Sequence, residues 1–102
     1  MALTEASYYI LLSLVRPQHG YGIMQRAEAL SGGRVRLGPG TLYGALTSMS
    51  EKGWIMLLPV EDCSRKKDYR LTEQGRQVLL SELERLKRLV QDGEKAIEEG
   101  QE

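Results

Sequence analysis

Across residues 8–15, Tyr-Tyr-Ile-Leu-Leu-Ser-Leu-Val, only Ser13 is polar. A helix made from this run is apolar on almost every side and needs more than one covering surface. The rest of the 102-residue chain must therefore wrap around it, and at this length there is material for one core and not for two. An apolar share of 41% is enough for that core, so the chain does not read as disordered. Its core residues are Leu, Ile, Val, Met and Tyr, with no Phe and a single Trp54. A core this modest often gains stability when two copies pair.

Local signals around the run predict the order helix, helix, helix, hairpin, helix: a mainly α fold with a small β-hairpin. Thr4 can cap the first helix, Glu5 complements the positive end of its dipole, and Leu3 can staple onto Tyr8. Pro17 and Gly20 read as its end. A second helix over residues 21–30 turns Ile23, Met24, Ala27 and Leu30 to one side, and Ser31-Gly32-Gly33 stops it. Residues 34–37, Arg-Val-Arg-Leu, alternate as a very short edge strand would. The third helix opens at Gly38-Pro39, with proline in the first turn, and closes at Lys52 followed by a C-cap glycine, Gly53. Residues 54–58 read as a strand halted by Pro59, Glu61-Asp62-Cys63-Ser64 as a turn, and residues 67–71 as the returning strand. Thr72 then caps a last helix reaching roughly residue 98.

The third helix carries the most informative surface. Leu42, Ala45, Leu46 and Met49 make its inner stripe, and the opposite side holds Gly40, Gly44, Thr47, Ser48 and Glu51. A nearly bare, polar helix face allows close approach to something deep and polar, and a B-DNA major groove is wide enough for one helix. Thr41 and Tyr43 flank this face, where their hydroxyls and the free N–H groups after Pro39 can hold phosphate oxygens. Glu51 would repel phosphate, so the N-terminal half is expected to enter the groove. Spacing alone leaves open that these small residues pack against another protein element, as in a protein-interaction module that binds no DNA.

Two further features point the same way. Arg65, Lys66 and Lys67 are consecutive bases at the hairpin turn, placed either to reach phosphates beside the groove or simply as a solvated charge run. The last helix has an apolar seam at Leu79, Leu83, Leu86, Val90 and Ile97, with Gly93 at the missing heptad place. Such a seam can pack within its own domain. Its length against so small a core favours sharing it with a second copy, in a bundle widened by Leu80 and Leu89. Residues 1–75 would then form the head and residues 76–102 a dimerisation helix. Two recognition helices meeting successive grooves would also suit a dimer.

The charge pattern permits this reading. Net charge is zero, yet residues 31–80 hold eight Lys/Arg against five Asp/Glu, while residues 90–102 hold one against five. The basic middle, not the total, bears on nucleic acid. Gly38-Pro39-Gly40 lacks the Lys-Ser/Thr ending of a phosphate-binding loop. His19, the one histidine, has no carboxylate or Cys at ligand spacing, so no metal site is expected and a structural or incidental role is. Cys63 alone cannot form an internal disulfide. Arg65 and Lys66 nearby could lower its pKa enough for redox sensing, though an incidental thiol is the simpler reading. No nucleophile or acid/base pair stands out, so neither an enzyme nor a cofactor is expected. The apolar run is too short for a signal segment or membrane span, and a soluble cytoplasmic protein is expected.

His19-Gly20-Tyr21-Gly22-Ile23, then Gly38-Pro39-Gly40-Thr41-Leu42-Tyr43-Gly44-Ala45-Leu46, then Lys52-Gly53-Trp54-Ile55 and Tyr69-Arg70-Leu71-Thr72-Glu73-Gln74-Gly75 together closely resemble the PadR family of regulators. The resemblance implies a winged helix-turn-helix domain with a C-terminal dimerisation helix, usually in a homodimeric repressor of double-stranded DNA. Pro39 to Tyr43 would begin the recognition helix, and Arg65 to Lys67 would be the wing. Some members release DNA on binding phenolic acids or flat hydrophobic drugs at the dimer interface. In this chain a small hydrophobic or aromatic effector would lie between the first and last helices, near Tyr8, Tyr9 and Leu86. The sequence departs from the family in lacking wing glycines and in placing Asp68 where an aromatic residue is common. Its single terminal helix looks like the short-tailed subgroup.

Overall fold

The computed structural model describes residues 2–59 and 67–101. Its elements are α1 (Glu5–Ser13), β1 (Gln18–His19), α2 (Gly20–Leu30), α3 (Pro39–Glu51), β2 (Ile55–Leu57), β3 (Asp68–Leu71) and α4 (Glu73–Gly100). The architecture is mainly helical with a small antiparallel sheet, as expected, except that the sheet has three strands in the order β1-β3-β2.

Most helix boundaries follow their capping chemistry. Thr4 Oγ1 accepts from Ser7 N at 3.1 Å, and Thr72 Oγ1 accepts from Gly75 N at 3.0 Å; each satisfies a first-turn N–H that no helical carbonyl can reach. Gly38 is the N-cap of α3, Pro39 follows at its start, and Gly53 follows its end with φ of 78°. One boundary differs. α1 stops at Ser13, well short of Pro17. Ser13 Oγ donates to Tyr9 O at 2.7 Å and Leu14 N to Leu11 O at 3.1 Å, tightening the last turn, while Pro17 disfavours helical geometry at Arg16. Gly20 opens α2 and does not close α1.

The apolar run of α1 lies at the centre, as its all-round hydrophobicity requires. Ile10, Leu11 and Leu14 are buried with Ile23 of α2 and with Leu42, Leu46 and Met49 of α3. Trp54, Ile55 and Leu79 close the cluster from β2 and α4. Burying one such Leu or Ile contributes about 1.5–3 kcal/mol, so this cluster is the main source of the head's stability.

The edge strand expected at residues 34–37 is absent, and its place in the sheet is taken by Gln18 and His19, which pair with Tyr69 and Asp68. Local bonds explain the difference. Val35 N donates to Ser31 Oγ at 2.9 Å, Arg34 pairs with Glu5 and donates to Tyr9 Oη at 3.0 Å, and Arg36 pairs with Glu28 at 3.3 Å. These contacts hold the segment to α1 and α2 instead of offering a free strand edge. On the other side β2 pairs with β3 in the register Ile55↔Leu71, Met56↔Arg70 and Leu57↔Tyr69.

α4 is continuous across residues 75 and 76, so the head does not end where the chain enters the helix. Its first turns belong to the head: Gly75, Leu79 and Glu82 are buried. A Cβ at position 75 would overlap the Trp54 carbonyl, so only glycine lets α4 pass this close to β2,. Leu79, expected in the shared seam, packs instead in the monomer core. From residue 87 onward every described residue of the helix is exposed, which draws the molecule out to 65 Å along its long axis.

Candidate nucleic-acid interface

α3 has weak helix-forming residues on its outer face and is held by its inner one. Leu42, Leu46 and Met49 are buried, and Ala45 packs against them. The other side is open: Pro39, Gly40, Thr41, Tyr43, Gly44 and Thr47 are all exposed. Among the described residues nothing lies within 4 Å of where a Cβ would stand on Gly38, Gly40 or Gly44. These glycines therefore pack against no other element among the described residues. Thr47 Oγ1 donates to Tyr43 O at 2.9 Å, which leaves the hydroxyl free to accept from outside,.

The start of α2 lies against this surface. The Tyr43 ring reaches over Gly20, so the openings of the two helices meet here. His19 caps α2, its Nδ1 accepting from Gly22 N at 3.2 Å, so of the two roles left open for the lone histidine it has the structural one. Tyr21, beside the cap, is 62% exposed, and the sequence reading passed it over. Its signal was an aromatic ring at a helix opening, off the apolar stripe of Ile23 and Ala27. Tyr69 sits close enough that burial, and then the Tyr43 phenol, push its own hydroxyl above the ordinary range.

The expected wing divides. β2 and β3 form its stem, and Lys67 is exposed at the start of the returning strand. Arg65, Lys66 and Cys63 lie outside the described residues, so their expected roles have no geometry to add. On α4, Leu83, Val90 and Ile97 are exposed and Leu86 is half-buried. Leu80 and Leu89 extend this stripe and are exposed too.

Two of the residues proposed around an effector, Tyr8 and Tyr9, lie side by side on α1. Tyr8 and Tyr9 meet edge to face with ring centroids 5.8 Å apart, and the Arg34 guanidinium lies 6.0 Å from the Tyr9 ring. Burial, then the neighbouring Tyr9 and Glu82, raise the Tyr8 hydroxyl. A cavity of about 500 Å³ lies elsewhere, among Leu14, Val15, Met56, Arg70 and Arg76. Among the described residues no group of His, Cys, Asp or Glu is placed to hold a metal ion, and no helix is long and apolar enough to cross a membrane.

A model of the transcriptional regulator PadR-like family matches residues 10–81. An uncharacterized 37.1 kDa protein in transposon TN4556 of Streptomyces fradiae is 38% identical over 90 residues, which are 87% of this chain. The chain spans only 25% of that protein's length. A PadR family transcription regulator from hypervirulent Clostridium difficile R20291 has the same fold, with a TM-score of 0.76, 21% identity, and coverage of 92% of this chain and 99% of that one. Bacillus subtilis PadR in complex with operator DNA superimposes with a TM-score of 0.64 at 26% identity, over 76% of this chain and 45% of that one. The family match takes in the buried stripe of α3, its bare face and the stem of the wing together, and the chain belongs to the PadR-like family of transcriptional regulators, not to an enzyme family.

Proposed function

We propose that the chain is a DNA-binding transcription regulator that works as a homodimer, with α3 of each copy entering the major groove of a palindromic operator. The observation that carries this reading is the open face of α3, where Gly40, Gly44 and Thr47 are exposed and, among the described residues, nothing stands within 4 Å of a Cβ built on either glycine. A helix stripped of large side chains on its outer side can lie deep in a groove and let backbone, hydroxyls and flanking rings reach base edges and phosphates. The complex of Bacillus subtilis PadR with operator DNA supports the same use of this fold.

In the proposed complex Thr41, Tyr43 and the N–H groups behind Pro39 hold backbone phosphates, and Thr47 reads a base edge. Lys67, with Arg65 and Lys66, steadies the flanking backbone. Two copies join through Leu83, Leu86, Val90 and Ile97 of α4, with Leu79 left to the monomer core. Occupying an operator in the cytoplasm would repress transcription by obstruction. A small hydrophobic or aromatic effector between α1 and α4, near Tyr8, Tyr9 and Leu86, would act by changing how the two heads are held apart.

The test is a mobility-shift titration of duplexes selected by the purified chain, repeated across salt concentrations. Affinity falls as salt rises, by a slope of about 0.9 per phosphate contacted. Lys67→Ala lowers that slope by about one and weakens all duplexes alike, whereas Thr47→Ala changes the preference among them. Salt-indifferent affinity would end the reading.

A further inference from the structure

Glu82 is the last buried residue of α4. It is 4% exposed, Arg85 and Leu86 beyond it are half-buried, and the rest of the helix is open to solvent. An aliphatic side chain would fill this place without the desolvation cost of a carboxylate. A carboxylate does what an aliphatic group cannot: it bonds in fixed directions. Its Oε2 accepts from Leu3 N at 2.8 Å, tying α4 to the segment ahead of α1. Arg85, one turn further along, donates from Nε to Oε1 at 2.5 Å and from Nη2 to Oε2 at 2.9 Å. Leu3 itself packs against the core, so the bond anchors the helix to the head and not to a loose strand end.

The bonding holds the Glu82 carboxyl down to about 2, through Arg85 first and the Leu3 amide next, against burial, which pushes it up. Glu82 is therefore charged and fully engaged at the one point where the head ends and the free length of α4 begins. Apolar surfaces tolerate sliding, whereas a paired carboxylate with an amide donor sets both tilt and rotation.

We infer that Glu82 is a positioning residue that locks the direction of the α4 arm relative to the head and thereby sets the separation of the two α3 helices on DNA. The second half of this inference rests on the dimeric, DNA-reading function proposed above. Its leverage follows from length. Residues 83–100 at 1.5 Å per residue make an arm of ~27 Å, so a tilt of ~10° moves its tip by ~5 Å. That is more than the ~3.4 Å between successive base pairs along one strand. A loose joint would let half-sites of several spacings bind equally, and a locked joint would not.

The lock is measured within one chain first. Ser50→Cys on α3 and Lys95→Cys on the arm carry spin labels, in a Cys63→Ser background, and the labelled chain is diluted into excess unlabelled chain. Pulsed dipolar spectroscopy is expected to give one narrow distance with Glu82 present and a distribution at least about twice as wide in Glu82→Leu, since directional bonds are lost while volume is kept. Should Glu82→Leu lose its helical circular dichroism, Glu82→Ala takes its place, because it too removes the acceptor for Leu3 N and is small enough to avoid a clash. An unchanged width in a folded variant overturns the lock.

The same variants are then titrated on inverted repeats whose half-sites stand one base pair nearer or farther apart. The parent chain is expected to lose about tenfold for each step and the variant about threefold or less, because spacing is a geometric demand of a rigid dimer. A spacing optimum equally sharp in both overturns the inference. If the parent holds no duplex, the regulator reading and the DNA half of this inference fail together. The distance widths still decide the lock.

Discussion

The head and the arm of this molecule obey opposite rules. In the head, α3 contains Pro39, Gly40, Thr41, Gly44 and Thr47, and two glycines alone cost its helix about 2 kcal/mol against alanine. It is helical because Leu42, Leu46 and Met49 are sunk in the core. The arm, residues 83–100, is rich in Glu, Leu, Lys and Arg, all good helix formers. It keeps almost nothing buried, and Ile97 is 67% exposed. One region gets its shape from packing and can leave a surface bare, while the other gets its shape from local preference and leaves an apolar stripe uncovered. Under the function proposed above, each uncovered surface would take a partner: a groove for the head, a second copy for the arm.

The contrast yields ordered expectations. Leu11→Ala removes a fully buried side chain from α1 and should cost about 2–5 kcal/mol. Calorimetry should show the loss at every protein concentration, because it belongs to the head alone. Val90→Asp should leave the melting of the head almost unchanged while weakening self-association at least about tenfold, or about 1.4 kcal/mol. Sedimentation at several concentrations reads this directly, and an unaltered dimer would show that the arm stripe is not the seam.

Gly44→Ala is a smaller and sharper probe. The added methyl group meets nothing within 4 Å among the described residues, so the helix should gain about 1 kcal/mol of stability. In the proposed complex the same methyl group would fill space that the groove occupies, so duplex affinity should fall. A variant both stabler and equally tight on DNA would put the bare face elsewhere than in the complex.

The smallest effect concerns acid. Glu82 faces Arg85 on its own helix, with the Leu3 amide and the Tyr8 phenol across from it. Its carboxyl is lowered from 4.5 to about 2 in the fold, so its contribution is complete above about 4.5 and disappears as pH falls towards 2. Melting temperatures of the parent chain should decline through that window more steeply than those of Glu82→Gln. Parallel slopes would mean that other carboxylates dominate.

Much of this architecture was legible in the residues because it depends on local chemistry. Thr4, Thr72, Pro39 and Gly53 act within one turn of their own positions, and a cap can be read without knowing what lies across the molecule. The inner stripe of α3 and the bare side facing away from it follow from periodicity in the same way. What escaped was non-local. Gln18 and His19 join the sheet only because Tyr69 and Asp68 arrive beside them from some fifty positions away, and nothing in their own sequence alternates. Leu79 and Leu83 look alike in a heptad pattern. Only the placement of Trp54 and α1 makes the first a core residue and leaves the second outside. Glu82 was invisible as a joint because its partner, the Leu3 amide, belongs to a backbone that carries no residue-specific signal.

Trp54 has a consequence of a different kind. It is the only tryptophan in the chain, its carbonyl lies under Gly75, its ring has the Lys52 ammonium 4.8 Å from its centre, and it belongs to the core cluster. Red-edge excitation thus interrogates a single indole at the meeting of α3, β2 and α4. Emission will register whether the head is assembled and will be blind to the arm, so the chain carries its own optical gauge for separating folding from pairing.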